Sequence, residues 1–459
     1  MLKDTANDEF RVHPGILCCL GDAIDRARKG AAAPDGDAGK EESMNAKSES
    51  AFRPCLIVSI ALALAMSSSF PSAARGNHPS SPPLARAELC RFGALQPVAT
   101  YPTLGAFPES VVMGRFNADA FFDLAVTNSG QLNAGEVVSV FLNNGDGTFA
   151  GAVAYITGRS PQGLATDDFN GDSHADLVVT NYNSGDFMHP GNISVLLGNG
   201  DGTFQPPAHF DVGYGPTAVA TGDFNNDTQR DVAVTNWGTS NSVSVLLGNG
   251  NGAFQPAVHY AAGNGPYGVA TGDFNRDSIT DLAVANFRYS DVESTVSILL
   301  GTSSGAFEAA TNFRVGQQPS SVVVGFFDAG SDPDLAVTDF GGAFVSILTG
   351  NGDGSFASFG SITAGARTAV AIADFDADMR ADLALTTGAL VGIALGKGDA
   401  SFQPAYYYEV VGEGRGIAAG DLNGDAQPDV AATQVGSETV GVLLNDCWKQ
   451  NYLPGITVD

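Results

Sequence analysis

The sequence predicts an all-β fold, a seven-bladed β-propeller with four-stranded blades. Three observations carry this. A unit of about fifty residues recurs seven times, at intervals between 47 and 55 residues. The composition is that of many short strands joined by tight turns, with 57 glycines and far more Asn, Asp, Thr and Val than Lys. Finally, the first and last units are out of phase by one strand, so the chain can close a ring on itself.

Composition also excludes function classes. The chain has 459 residues, 50 Asp+Glu, 22 Lys+Arg and a formal charge of −28. No basic footprint exists for a phosphate backbone, so nucleic acid is not an expected partner. A hydrophobic content of 44% is too high for an acidic disordered chain.

Residues 1–50 are polar, without a sustained apolar period. Arg53 then precedes the apolar run Cys55–Met66, and Ser72-x-Ala74 places small residues where a signal peptidase reads. A helix of that length rises only ~18 Å, short of a ~30 Å hydrocarbon core. Residues 44–74 therefore read as a secretory signal starting at Met44, and residues 1–43 as a mis-assigned or disordered extension. The alternative is a true extension with an internal signal-anchor. Residues 75–89 read as a flexible linker, 90–448 as the propeller and 449–459 as a tail. The expected location is secreted, extracellular or periplasmic, with no transmembrane span in the mature chain.

The clearest units are GDFNNDTQRDVAVTN at 222–236 and GDFNRDSITDLAVAN at 272–286. Their siblings lie at 167–181, 373–387 and 420–434, and two eroded copies at 114–128 and 325–339. In residues 217–262, TAVATGD reads as a small-residue inner strand, then DVAVTN, VSVLLGN and AFQPAVHYA as the second to fourth. The hairpin GNGNG between the last two needs φ > 0 positions that Gly and Asn fill cheaply. Residues 95–101, LQPVATY, match the fourth strand FQPAVHY at 254–260, while the last unit stops after its third strand at 438–445. The N-terminal strand is expected to complete the final blade. One such sheet cannot bury both faces, whereas seven packed radially can.

Each unit joins its first two strands by a nine-residue loop, D-x-[ND]-x-D-x-x-x-D. Alternate residues of a tight loop point the same way, so the oxygens converge. Carboxylates gathered without a counter-charge repel each other, and a hard cation removes that penalty. With neither Cys nor His as a ligand, zinc is disfavoured and Ca²⁺, which accepts 6–8 oxygens in loose geometry, is preferred. Five loops are complete: Asp168/Asn170/Asp172/Asp176, Asp223/Asn225/Asp227/Asp231, Asp273/Asn275/Asp277/Asp281, Asp374/Asp376/Asp378/Asp382 and Asp421/Asn423/Asp425/Asp429. Arg115 replaces the leading Asp of the first eroded loop, and Phe326 and Gly330 remove two ligands from the other, so neither is expected to hold metal well. The alternative is that the aspartates only make turns.

The DFNxD…DLAV motif with this period resembles the FG-GAP/VCBS repeat, the unit of integrin alpha-subunit propellers and of many secreted microbial proteins. The resemblance covers about residues 92–446. It implies Ca²⁺ at the matching loop residues, hence about five sites. It also implies kinship in architecture with a fungal seven-bladed lectin and, more distantly, with polysaccharide lyases built on similar rings.

The one G-x-S-x-G match, at 301–305, aligns with the GNGDG hairpins and reads as an eroded turn. His209 and His259 occupy equivalent fourth-strand positions, a packing signature. No catalytic motif emerges, and the reading is non-enzymatic. On the face opposite the metal loops, blades two to four carry Tyr182, Tyr214, Trp237, Tyr267, Phe287 and Tyr289. Rings beside amides suit a sugar or a protein surface; they would equally serve as plugs between blades. The expectation is a secreted, monomeric binding or adhesion module for a glycan or an extracellular protein. The rival is a lyase-like carbohydrate-active enzyme with a site in the central funnel.

Of five cysteines, Cys90 and Cys447 remain after the signal, in a compartment where disulfides persist. Cys447 follows the final blade's third strand and Cys90 precedes its borrowed fourth strand. A Cys90–Cys447 disulfide is therefore expected to replace the missing hairpin, worth on the order of 5 kcal/mol by loop entropy. Two free thiols are the alternative.

Overall fold

The computed structural model describes residues 95–445 except 96–97, 131–135, 183–188, 288–293, 343 and 364–368. The expected signal, linker and tail lie outside the described residues, as do Cys90, Cys447 and Tyr289. The rest is all β. Seven antiparallel four-stranded sheets form the blades. Blades one to six run over 108–156, 161–211, 216–261, 266–314, 319–363 and 370–409, and blade seven over 413–443. The sheet of blade seven is completed by Ala99–Pro102, which pairs antiparallel with Thr439–Leu443 (Ala99 opposite Val442, Pro102 opposite Thr439). The expected closure by the N-terminal strand is thus what the fold uses.

Burial explains the strand sequences. The second strands, such as Asp231–Asn236 and Asp281–Asn286, are buried at every position. Covered on both faces, they read as largely apolar runs rather than alternating ones. Fourth strands, such as Val258–Ala261, lie exposed at the rim. The core divides into seven clusters, each shared by two neighbouring blades. One joins Val178, Ile193 and Val195 of blade two to Val232, Val234 and Leu246 of blade three. Another joins Leu124 and Phe141 of blade one to Ala431, Val440 and Val442 of blade seven, so the ring is closed by packing as well as by pairing.

The residue after each loop's leading position, phenylalanine in blades one to six and Leu422 in blade seven, seals these junctions. Phe116, Phe169, Phe224, Phe274 and Phe327 meet Phe204, Phe254, Phe307, Phe356 and Phe402 of the next blade's hairpin edge-on, with centroids 5.3–5.6 Å apart. This lies within the range favoured by edge-to-face pairs.

Near the axis the chain is tightest. In blade three the strand bulges between Pro216 and Val219, and the freed Ala218 N–H donates to Thr235 Oγ1 at 3.0 Å. Thr235 in turn donates to the Tyr267 carbonyl of blade four at 2.8 Å. Thr180 makes the same two bonds between Gly163 and the Thr217 carbonyl. A Cβ on Gly163 would lie 2.5 Å from that carbonyl oxygen, and one on Gly416 would lie 2.7 Å from the Glu109 carbonyl oxygen. Glycine at these two sites is a requirement of close backbone approach.

The expected disulfide is corrected on structural grounds. Both cysteines lie outside the described residues, no disulfide occurs among those residues, and the described part of the corner has packing and hydrogen bonds of its own. Leu95 fills the place of Phe254 and is buried with Phe375. Asn445 Nδ2 donates to the Phe375 carbonyl at 3.0 Å, where siblings use a hairpin N–H such as Gly252 to Phe169. Among the described residues, closure is made by the ladder and this cap. Among the described residues no helix is long and apolar enough to cross a membrane.

Candidate functional site

The five complete loops share one backbone form. Counting from the leading Asp, positions four and six are left-handed in each: Gly171 and Ser173, Asn226 and Thr228, Arg276 and Ser278, Ala377 and Met379, Gly424 and Ala426. A non-glycine residue there costs about 1–2 kcal/mol. The leading Asp offsets that cost. Asp223 Oδ1 accepts the Asp227 N–H at 3.1 Å, and its Oδ2 accepts that of Thr228 at 2.8 Å. Asp168, Asp273, Asp374 and Asp421 do the same. Arg115 and Phe326 cannot accept, and the two eroded loops lack the left-handed pair.

The ninth-position Asp has a role that the ligand pattern did not reveal. Asp231 is fully buried; its Oδ2 accepts the Phe224 N–H at 2.8 Å and its Oδ1 accepts the Gly248 N–H at 2.7 Å. It thus ties the loop to the start of the hairpin. Asp176, Asp281, Asp382 and Asp429 repeat this, and so do Asp123 and Asp334 of the eroded blades. Burial pushes these carboxyls up, to about 6 for Asp176, Asp231 and Asp281 and to about 7 for Asp382 and Asp429, against the two backbone donors.

Blade six differs in having Asp376, not Asn, at the third position. Oxygens of Asp374, Asp376 and Asp382 lie within 4.8 Å of one another. Asp376 Oδ1 is buried without a partner, and burial followed by the charges of Asp378 and Asp374 raises its pKa. An all-oxygen set with an orphaned carboxylate atom fits a hard cation. In three of the loops with Asn the side-chain amide instead donates to the fifth-position Asp, at 2.9 Å from Asn170 to Asp172, Asn225 to Asp227 and Asn275 to Asp277. These loops do not gather three carboxylates as closely.

In blade seven the third-position residue lies deeper than in its siblings. Asn423 is buried, whereas Asn170, Asn225 and Asn275 are half-buried. The cause is the neighbouring hairpin of blade one, which lies over it: a Cβ on Gly147 would stand 3.3 Å from that of Asn423. Its Oδ1 accepts the Asp425 N–H at 3.0 Å. Asn170, Asn225 and Asn275 make the same bond, so Asn423 keeps the loop form of its siblings at the junction that closes the ring. Asp425 Oδ2 beside it is buried without a partner. In eroded blade five, the Arg276 guanidinium from blade four forms a two-pronged ion pair with Asp332.

The opposite mouth of the ring holds a cavity of about 600 Å³ on the propeller axis, lined from all seven blades. Its wall on the side of blades two to five is aromatic: Tyr182, Trp237, Tyr267, Phe287 and Phe340. Tyr182 and Trp237 pack with centroids 6.2 Å apart, Tyr267 and Phe287 at 5.4 Å, and Phe287 and Phe340 at 5.7 Å. Two of these pairs, Tyr182–Trp237 and Phe287–Phe340, bridge blade junctions, while all five rings face the cavity. Across from them stand Arg415 of blade seven and Glu109 of blade one. Arg415 Nη1 donates to both Glu109 oxygens at 2.7 Å, and Ser129 Oγ donates to Glu109 Oε1 at 3.0 Å.

The structure thus gathers four of the expected ring residues. Tyr214 is not in the lining; its carbonyl accepts the Gly238 N–H at 2.9 Å in the turn before blade three. Phe340, Gln162, Glu109 and Arg415 are additions. The first has a sequence signal, because the residue following the second strand is Tyr182, Trp237, Phe287 and Phe340 in four successive blades but Ser129 in blade one, Gly388 in blade six and the strand-end Val435 in blade seven. His209 and His259 are not packed inside: both lie exposed on the rim strands, each with Nδ1 on a serine hydroxyl, Ser194 at 3.0 Å and Ser244 at 2.9 Å.

A model of the FG-GAP-like repeat matches residues 115–179, 168–234, 223–284 and 374–432, leaving out the eroded blade five. None of the curated proteins matches the chain significantly. Among solved structures, the BBS1N–ARL6DN complex is similar at 11% identity and a TM-score of 0.53, over 76% of this chain and 96% of that one. An Agrocybe aegerita lectin, solved for its recognition of non-reducing terminal N-acetylglucosamine, is similar at 17% identity and a TM-score of 0.46, over 65% of this chain and 80% of that one. At such identities the likeness to BBS1N is one of fold. With the repeat matched on successive blades of a closed seven-sheet ring, the chain belongs to the FG-GAP-like repeat proteins.

Proposed function

We propose that this protein is a secreted, calcium-stabilised binding module that takes a glycan at the axial mouth, and that it is not an enzyme. The observation that carries the reading is the one-sided aromatic wall on a cavity of about 600 Å³. Small-ligand sites are concave, largely apolar and supplied with a few placed polar groups. A sugar ring offers C–H faces to aromatic rings and hydroxyls to the polar side. No Lys or His lines the cavity among the described residues, but Tyr182, Tyr267 and Arg415 do, the residue types a lyase-like site in the funnel would use, so that activity is the rival reading. Trp237→Ala should weaken glycan binding by up to about tenfold, since such a ring contact contributes about 0.5–1.5 kcal/mol, and should lower the melt moderately because the ring also packs on Tyr182 of blade two. Glycan-array binding that survives Trp237→Ala would sink this site.

Calcium belongs to the other face, at the leading, third, fifth and ninth positions of the five loops. There it would supply charge neutralisation, not chemistry. Blade six is the best-formed site, supported by the 4.8 Å grouping of Asp374, Asp376 and Asp382. Ligands that bind only the native state stabilise it by mass action, about 2.7 kcal/mol per site at a hundredfold excess over Kd. Chelation should therefore lower the melting temperature by roughly 5 °C or more. An unchanged melt in excess EDTA, with no metal on elemental analysis, would remove the calcium assignment.

A further inference from the structure

The polar side of the axial cavity says what kind of glycan it would take. Arg415 and Glu109 are adjacent only because the ring closes, and their side chains are 42% and 11% exposed. Arg415 uses one nitrogen, Nη1, for the pair; Nη2 and Nε make no hydrogen bond to the described residues. A carboxylate has about four acceptor positions. On Glu109, two are taken by Arg415 and one, on Oε1, by Ser129. The cavity wall therefore offers spare donors beside a spare acceptor on Glu109 Oε2.

Resting on the glycan reading above, we propose that the Arg415–Glu109 pair is a specificity element that selects one uncharged pyranose carrying vicinal hydroxyls, bound end-on at a single axial site per chain. One hydroxyl accepts from the guanidinium while its neighbour donates to Glu109, and the opposite sugar face lies on the aromatic wall. An acidic sugar is disfavoured twice. The guanidinium charge is already compensated by Glu109, whose carboxylate would repel a second anion, and the chain as a whole carries −28. A single site follows from asymmetry: the ring wall spans blades two to five, whereas the equivalent positions of blades six and one are Gly388 and Ser129.

The test is calorimetric titration of the full chain, in calcium, with methyl glycosides of galactose, glucose and mannose and with galacturonate and glucuronate. At least one neutral glycoside should bind with a stoichiometry of one, and the uronates at least about tenfold more weakly, the loss expected for one charge-assisted contact. Arg415→Lys, which keeps the charge but loses the fork, should weaken the neutral sugar on the order of tenfold without shifting the melt. Glu109→Gln should do the opposite for acids, raising uronate affinity on the order of tenfold by freeing the guanidinium. Neutral binding that depends on Trp237 but ignores both substitutions would overturn this inference and leave the glycan site standing. Several equivalent sites per chain, or uronate preferred by the unmodified protein, would also overturn it. Failure of every glycoside to bind would overturn both, in favour of a protein ligand.

Discussion

Asp231→Ala is expected to destabilise the protein by about 3 kcal/mol or more, whereas Asp227→Ala, four residues earlier in the same loop, should cost little in the presence of a chelator. The two residues look alike in the motif. Asp227 sits at the exposed tip of the loop. Asp231 is fully buried and satisfies two buried backbone donors, those of Phe224 at 2.8 Å and Gly248 at 2.7 Å. Truncation strands both, at about 1–3 kcal/mol each. Relief of the carboxylate's own burial, which pushes its pKa to about 6, offsets part of this. Asp231→Asn should fall between the two, because the amide keeps one acceptor and turns hydrogens toward the other N–H. In calcium the loss at Asp227 should grow while that at Asp231 stays large. Urea melts in EDTA decide the matter: equal losses for the two alanine variants would show that the ninth position is a ligand and nothing more.

That distinction marks the boundary of what the sequence could show. The blades, their order and the borrowed strand were legible because each depends on side-chain pattern within one repeat. Leu95 falls where Phe254 falls in its sibling, and it packs there. The clamp role of Asp231 was hidden because its second donor, Gly248, is seventeen positions away in a different turn. Burial of Asn423 was hidden for a like reason, since the hairpin that covers it belongs to blade one. The axial site was half legible. Tyr182, Trp237, Tyr267 and Phe287 were found as aromatic loop residues, but Phe340 follows a strand ending in Asp339, outside the three blades from which the face was read. Arg415 and Glu109 are separated by 306 positions and meet only through ring closure. The expected disulfide assumed that a missing hairpin needs a covalent substitute; a ladder, a buried leucine and the Asn445 amide serve instead.

Asp339→Asn is expected to stabilise the protein by about 2–4 kcal/mol at pH 8 and by little at pH 4. Position 339 ends the second strand of blade five, where blades one to four have Asn128, Asn181, Asn236 and Asn286. Those amides are donors: Asn236 Nδ2 reaches the Ser242 carbonyl at 3.2 Å and the Ser244 hydroxyl at 2.9 Å. Once ionised, Asp339 has no hydrogen to offer the carbonyl of its ladder partner, Phe344. Its Oδ2 accepts from Ser346 Oγ at 2.6 Å, while Oδ1 is buried without a partner. No cation faces it among the described residues, and burial pushes its pKa up to about 7, against the Ser346 and Gly316 donors. The sign follows from linkage. Between the unfolded value near 3.8 and about 7, the native state holds a proton that the unfolded state has released, so this group's contribution to stability falls as pH rises. Each pH unit of that interval is worth about 1.4 kcal/mol, so the full penalty is in place above the native pKa. An amide does not titrate and restores the donor its siblings use. Because the other raised carboxyls are common to both proteins, the difference between wild type and Asp339→Asn isolates this site. Urea denaturation at both pH values measures it, and a difference that does not change with pH, or a variant less stable at pH 8, would show that the carboxylate is compensated where it lies.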